Sequence, residues 1–311
     1  MLLLKFILRR LGMLVVTLWV IVTLTFFLMH AIPGDPFSKE GRMPEATKEN
    51  LMKYYGLDKS LPEQYVSYLI KLTKFDLGPS YFSKTQSVND IIANNFPVSA
   101  RLGIQALTIA VMFGVALGTV AALKHNSALD YTAMVIAVLG VSVPNIVLAP
   151  LLINVFSVKL GWFPIARWGT FAHTVLPATA LGVQAMAVIA RLMRSNMLEV
   201  LGQDYIRTAR AKGLSQFAVV WRHTIRNAIM PVITILGPLT AALLTGTFVV
   251  EQIFAIPGMG KYFVKSVNNR DYPVILGTTI FYSAVLVTAN FLVDVAYGLI
   301  DPRIKVGVRG E

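Results

Sequence analysis

The run LGIQALTIAVMFGVALGTVAAL, Leu102 to Leu123, decides the fold class, because it holds 22 residues without a single charge. As a helix rising 1.5 Å per residue it is about 33 Å long, enough to cross a hydrocarbon core of roughly 30 Å. Ala110, Gly114, Gly118 and Ala122 recur in it at intervals of four, a small-residue stripe that lets a second helix approach closely. Working outward, similar runs extend from Leu11 to Ala31, Tyr131 to Phe156, Thr174 to Ala190, Ala228 to Val250, and Val274 to Leu299, the last with Asp294 inside. The pattern predicts an all-α polytopic membrane protein with six transmembrane helices.

Composition agrees. Of 311 residues, 55% are apolar and 14% charged, and the mean hydropathy is +0.64, so charge is too scarce to clothe a compact water-soluble surface. There is no cysteine, which excludes thiol nucleophiles, disulfides and thiolate metal sites. His30, His125, His173 and His223 lie far apart without metal-ligand spacing, so no metal site is expected.

The net charge of +12 is a matter of orientation. With the N-terminus inside, the cytoplasmic segments carry 14 Lys and Arg against five acids, a net of +9, whereas the loop over 32–100 balances eight bases with eight acids. The positive-inside rule accounts for the excess, and nucleic acid is not an expected partner. The first span follows Lys5, Arg9 and Arg10 but ends in His30-Ala31-Ile32-Pro33 without a small-x-small cleavage site, so it reads as a helix and not a signal peptide. The expected organisation is a cytoplasmic tail (1–10), a first transmembrane helix (11–31), an extracytoplasmic loop with short helices (32–100), a five-helix core (101–300) enclosing a cytoplasmic loop (191–227), and a cytoplasmic tail (301–311).

In the outer loop, Pro44 opens a helix-like stretch closed by Gly56. Ser60 and Glu63 form a capping box before Tyr65, Val66, Leu69, Ile70 and Thr73 at helical spacing. Known catalytic motifs do not occur. Gly258-Met259-Gly260-Lys261-Tyr262 lacks the first glycine and the hydroxyl of a phosphate-binding loop, and there is no G-x-S-x-G or H-E-x-x-H. No residue is expected to be catalytic.

Other features have two readings each. Asp294 sits either at a wet interface near Asn290 or close enough to the cytoplasmic end to snorkel. Asn145, Asn154 and Gln184 are candidates for a hydrated translocation path, with Gln105, Ser142 and Asn290; interhelical hydrogen bonding is the other reading. Pro144, Pro150, Pro231 and Pro238 mark helices that bend, as static kinks or as moving gates. Glu251, Phe254, Pro257, Gly258 and Gly260, just beyond the fifth span, are a candidate outer gate or a plain turn.

The most informative segment reads Gly202-Gln203-Asp204-Tyr205-Ile206-Arg207-Thr208-Ala209-Arg210-Ala211-Lys212-Gly213-Leu214-Ser215. A short helix closes at Gly213, and Ser215 caps a second whose apolar face is Phe217, Val220, Trp221, Thr224 and Ile225. Ala209, Ala211 and Gly213 give the first helix a slim edge suited to a partner's groove, rimmed by Arg207, Arg210 and Lys212. A basic helix resting on anionic lipid is the competing reading.

Taken with other fragments, this segment closely resembles the membrane permease subunits of binding-protein-dependent ABC importers, in the branch that takes up oligopeptides and dipeptides. The likeness covers almost the whole chain. It is carried by Arg9-Arg10-Leu11, Ile32-Pro33-Gly34-Asp35-Pro36, Tyr55-Gly56-Leu57-Asp58, Asp76-Leu77-Gly78, Arg207 to Leu214, and Arg222-His223 with Arg226-Asn227-Ala228. Glu251-x-x-Phe254-x-x-Pro257-Gly258-x-Gly260, Asn269-Arg270-Asp271-Tyr272-Pro273 and Asp301-Pro302-Arg303-Ile304 complete the series. Arg207-Thr208-Ala209 stands where such permeases generally carry Glu-Ala-Ala.

The resemblance implies that Asp204 to Leu214, centred on Arg207 to Gly213, is a coupling helix seated in a cytoplasmic ATPase. It implies as partners a homologous second permease, two ATP-binding subunits, an extracytoplasmic peptide-binding protein, the peptide and the lipid membrane of a bacterial or archaeal cell. ATP and magnesium would belong to the ATPase subunits, leaving this chain without a cofactor. Nickel or glutathione is the alternative cargo. A secondary transporter or channel would need intramembrane ionisable pairs or a repeat, and a membrane enzyme would need paired catalytic groups.

Overall fold

A computed structural model describes residues 2–31, 45–83, 85–245 and 248–300. In chain order the helices are α1 (Leu2–Ala31), α2 (Glu45–Tyr55), α3 (Leu61–Thr73), α4 (Val88–Leu123), α5 (Ala128–Ser142), α6 (Asn145–Leu152), α7 (Ala172–Leu201), α8 (Asp204–Ala211), α9 (Gln216–Ala218), α10 (Arg226–Ala228), α11 (Met230–Leu244), α12 (Phe248–Ile253), α13 (Met259–Asn269) and α14 (Tyr272–Ile300). Wider π-helical turns continue α6 over Ile153–Lys159 and join α9 to α10 over Val219–Ile225. The fold is all-α; among the described residues the only extended pairing is one bridge between Pro79 and Ser87.

Among the described residues, five helical stretches are long and apolar enough to span a membrane: Leu8–Ala31, Val88–Leu123, Ala172–Leu201, Met230–Ile253 and Tyr272–Val293. The expected span from Tyr131 to Phe156 is not one rod, since its halves, Ala128–Ser142 and Asn145–Lys159, meet at 111°. Pro144 forces the break by disfavouring the helical region for the residue before it, and Val143 is extended at φ −88°, ψ 114°. The Val143 amide still donates to the Leu139 carbonyl, and the amides of Val147 and Leu148 donate to the Pro144 carbonyl, so the bend leaves little backbone unpaired. Other boundaries also move. Residues 88–100, expected in the outer segment, are helical and continuous with α4, and α7 runs on to Leu201, into the segment expected as the cytoplasmic loop from Arg191.

Pro44, Ile32 to Pro36, and the tail with Asp301 to Ile304 lie outside the described residues, as does the side chain of Asp294, whose backbone belongs to α14.

The chain divides into two compact units. The first comprises Met1–Pro97 and Met259–Val285. Val88, Ile91, Ile92, Met259 and Val274 form its core. Here α3 packs on α1 through rings, with Phe26 5.3 Å from Tyr65 and 5.9 Å from Tyr68 between centroids, and the Thr23 and Tyr65 hydroxyls 2.7 Å apart. Glu63 caps the start of α3 by accepting from the Ser60 amide, as the capping box predicts. The predicted apolar face is split: Tyr65 and Leu69 turn inward, while Val66 and Ile70 lie open at 53% and 52%. Asp271, just before α14, accepts from the Ser80 hydroxyl and the Tyr81 amide, tying the 76–83 loop to α14. Burial pushes its carboxyl above the ordinary aspartate range, and those hydrogen bonds pull it partly back.

The second unit comprises Val98–Gly258 and Leu286–Glu311. Its core gathers Leu102, Ala106, Ala110, Ile189, Met193, Met197, Val250 and Phe254. The small-residue stripe meets α7 as the sequence suggests. A methyl group on Gly114 would lie 2.8 Å from the Met186 carbonyl oxygen, and one on Gly118 would lie 2.5 Å from that of Ala190. Such backbone-to-backbone approach maximises dispersion contact where lipid offers no hydrophobic drive.

Candidate functional site

The segment after α7 folds as helix, turn, helix. Helix α8 ends in a left-handed residue, Gly213 at φ 80°, with the Gly213 amide donating to the Arg210 carbonyl and the Leu214 amide to that of Ala209. Ser215 then caps α9, its hydroxyl accepting from the Ala218 amide at 3.3 Å. These two signals, read from sequence, place the turn where it is found.

The faces differ from the sequence reading. Ala209, expected on the partner-facing edge, is buried at 6% against Ile206 and Val219 of its own chain. The open side of α8 carries Asp204, Tyr205, Arg207, Thr208, Arg210 and Ala211, and Lys212, Gly213 and Leu214 continue it. Asp204 and Arg207 are 3.6 Å apart and both well exposed, so that ion pair adds little stability. In the second helix, Val219 and Thr224 are the buried positions, five residues apart and joined by a bond from the Thr224 hydroxyl to the Val219 carbonyl. The π-helical winding causes this, because a face read at a period of 3.6 is displaced when the turn widens. Phe217 and Trp221, assigned to the apolar face, are instead 77% and 66% exposed and stack on each other. The small cluster of Ile206, Ala209 and Val219, with Val200 against it, thus fixes α8 to the end of α7 as a rigid knob.

A second feature joins residues far apart in the chain. Asp130, in the first turn of α5, is 1% exposed and accepts two bonds from Arg194 of α7, Nε to Oδ1 at 2.6 Å and Nη2 to Oδ2 at 2.7 Å. The Asn126 amide, in a backbone at φ 59°, donates to the same carboxylate at 3.0 Å, and His125 lies 3.3 Å away. A bidentate buried pair of this kind locks helix orientation, and losing one partner strands the other charge. Asp130→Asn leaves a guanidinium that is 24% exposed and partly solvated, so it is expected to destabilise the purified protein by about 1 to 3 kcal/mol, seen as a thermal midpoint roughly 3 to 8 °C lower. The sequence clue was an arginine four residues past the supposed end of a span that keeps its apolar spacing at Met193 and Met197.

The candidate gate residues pack tightly. Glu251 and Phe254 are each 1% exposed, and Ser99 of α4 donates to Glu251 at 2.6 Å. Gly258 packs directly on this group, since a methyl group on it would lie 2.4 Å from the Glu251 carboxylate. Pro257 is exposed, while Gly260 is buried in α13 of the other unit. The Glu251 carboxylate is thus an interior group bonded to Ser99 and does not lie at the surface.

Of the path candidates, Asn145 stands at the first position of α6 beyond the bend, its Oδ1 buried and without a hydrogen-bond partner among the described residues. Gln105 Oε1 on α4 is in the same condition. Gln184 is half-buried on α7, next to Val183, whose side chain meets Gly140 of α5. Asn154 is exposed in the π-helical turns. Buried acceptors without partners call for water or a donor-bearing solute.

Comparison with known proteins bears on the same residues. The family described as "Binding-protein-dependent transport system inner membrane component" matches residues 114–306, and its N-terminal companion matches residues 3–103. The chain is 56% identical over 306 residues to the dipeptide transport system permease protein DppB of Bacillus subtilis (strain 168), covering 98% of this chain and 99% of that one. It is 45% identical to the oligopeptide transport system permease protein OppB of Haemophilus influenzae and 43% to that of Escherichia coli (strain K12), each over 97% of this chain and 99% of the relative. A chain from a crystal structure of an amino acid ABC transporter with histidines aligns at a TM-score of 0.50 and 17% identity, covering 66% of this chain and 92% of that one, which supports the fold alone.

Proposed function

Because the chain belongs to the family of binding-protein-dependent transport-system inner-membrane components, we propose that it forms, with a second permease, the translocation path for dipeptides or oligopeptides in an ATP-driven importer. The observation that carries the peptide assignment is the 56% identity, over almost the full length, with a dipeptide permease. An extracytoplasmic binding protein delivers the peptide, and two cytoplasmic ATPase subunits bind and hydrolyse the nucleotide.

In this reading α8 is the coupling helix. Its open face, Tyr205, Thr208 and Ala211, enters a groove of the ATPase, and its buried face ties it to α7. The Asp130–Arg194 pair then makes α5 follow α7, so closure of the ATPase dimer becomes rigid-body tilting of the helices that bear Asn145 and Gln184. This chain contributes positioning and a path and performs no chemistry of its own. Radiolabelled dipeptide uptake tests the cargo: cells lacking this chain lose uptake and regain it on complementation, with no effect of excess nickel or glutathione. Competition by either would transfer the assignment to that cargo.

Orientation follows from the charge balance, with both termini and the α8–α9 segment cytoplasmic. The chain has no cysteine, so single cysteines report cleanly. Lys48→Cys is expected to react with a membrane-impermeant maleimide in intact cells and Gln216→Cys only after lysis. The reverse pattern would invert the topology.

A further inference from the structure

Within the first unit, α1, α2, α3 and the start of α14 enclose a cavity of about 600 Å³, within the range of small-ligand sites. Phe26, Tyr68, Tyr81 and Tyr272 wall it. Lys53, Lys59 and Lys71 also line it, and no carboxylate among the described residues does. Asp271, next to the lining residue Tyr272, is held by bonds from the Ser80 hydroxyl and the Tyr81 amide. The Tyr68 hydroxyl is buried with no hydrogen-bond partner among the described residues.

The level of the cavity in the membrane follows from its walls. Phe26 and His30 are in the last turns of the α1 span, Tyr272 and Leu276 are in the first turns of the α14 span, and the His30 and Tyr272 rings lie 6.0 Å apart. Two spans ending side by side put the cavity at headgroup depth, where aromatic rings concentrate. Outside it, Val66 and Ile70 of α3 are exposed along a shallower groove, and Ser67 and Lys71 line both spaces. An apolar stripe beside lysines on a helix at this level marks α3 as lying in the interface.

We infer that this cavity binds the headgroup of one anionic phospholipid, with its glycerol and acyl chains running along the Val66–Ile70 groove. The lysines neutralise the phosphate, the Tyr68 hydroxyl donates to it, and the rings cover the glycerol. A bound lipid would splint α3 against α1 and so steady the surface from which a delivered solute enters.

Native mass spectrometry of the intact importer, exchanged into micelles holding equal phosphatidylglycerol and phosphatidylcholine, tests this. One phosphatidylglycerol per copy of this chain should survive delipidation, in at least about tenfold preference over phosphatidylcholine. A lysine near an anionic surface contributes about a factor of five, so combining Lys53→Gln, Lys59→Gln and Lys71→Gln should lower retention roughly a hundredfold. Tyr68→Phe should lower it several-fold. Equal retention of the two lipids by the wild type overturns the inference without relying on any variant, and so does undiminished retention by the triple variant. Displacement of the lipid by millimolar dipeptide overturns it as well, making the cavity a cargo subsite.

Discussion

Thr208→Arg is expected to reach the membrane at the wild-type level and to lose peptide uptake by at least about a hundredfold. Thr208 lies on the open side of α8, its hydroxyl bonds to the Asp204 carbonyl within the same helix, and arginine is a better helix former than threonine. Nothing inside the chain is disturbed. In a dry ATPase groove, however, a guanidinium beside Arg207 and Arg210 is an uncompensated buried charge, worth about 3 to 5 kcal/mol against docking. Were α8 only resting on anionic lipid, the added charge would strengthen that contact by about 1 kcal/mol and uptake would persist. Ala209→Arg does not make this distinction, because Ala209 packs against Ile206 and Val219 and its replacement damages the chain itself.

Gly118→Leu should act before function is reached, cutting the amount of protein in the membrane to below a tenth of wild type. The Gly118 site already brings α4 to the backbone of α7, with Met193 Cβ 2.7 Å from where a methyl group would stand and the Arg194 amide nitrogen at 3.0 Å. Backbone cannot swing aside as a flexible side chain can, so the two helices must part, at about 3 kcal/mol or more. The same shift pulls Arg194 from Asp130. Gly12→Leu in α1, with nothing within 4 Å of the added carbon, is the matched control and should accumulate normally. Quantitative blotting of membrane fractions reads both.

What could be read in the sequence and what could not divide along physical lines. The uncharged run of α4, the stripe from Ala110 to Ala122, the stop at Gly213 and the cap at Ser215 are local signals, and each stands where expected. The inward turn of Ala209 was not local: an eight-residue helix has several plausible faces, and Val219, ten residues on, selects one. Phe217 and Trp221 stack on one side, as their apolar spacing suggests, yet stay exposed, because the wider winding puts Val219 and Thr224 inside. Asp130 and Arg194 are 64 residues apart, and Ser99 and Glu251 are 152 apart. Counting charges for topology treats Asp130 and Arg194 as solvated, whereas the fold buries the acid and pairs it. The bend at Pro144 was signalled by the proline, but its 111° angle depends on α6 turning to pack against α7 and α12.

Cross-linking in native membranes is the most direct measurement of how this chain is driven. With Thr208→Cys or Ala209→Cys as the sole cysteine, a short thiol-directed photo-crosslinker is attached and irradiated in membranes containing the ATPase subunits. The expected result is a covalent adduct between the ATPase and the cysteine at 208, with none from 209, whose side chain is covered by Ile206 and Val219. No ATPase adduct from 208, or an adduct from 209 alone, would contradict α8 as the coupling helix.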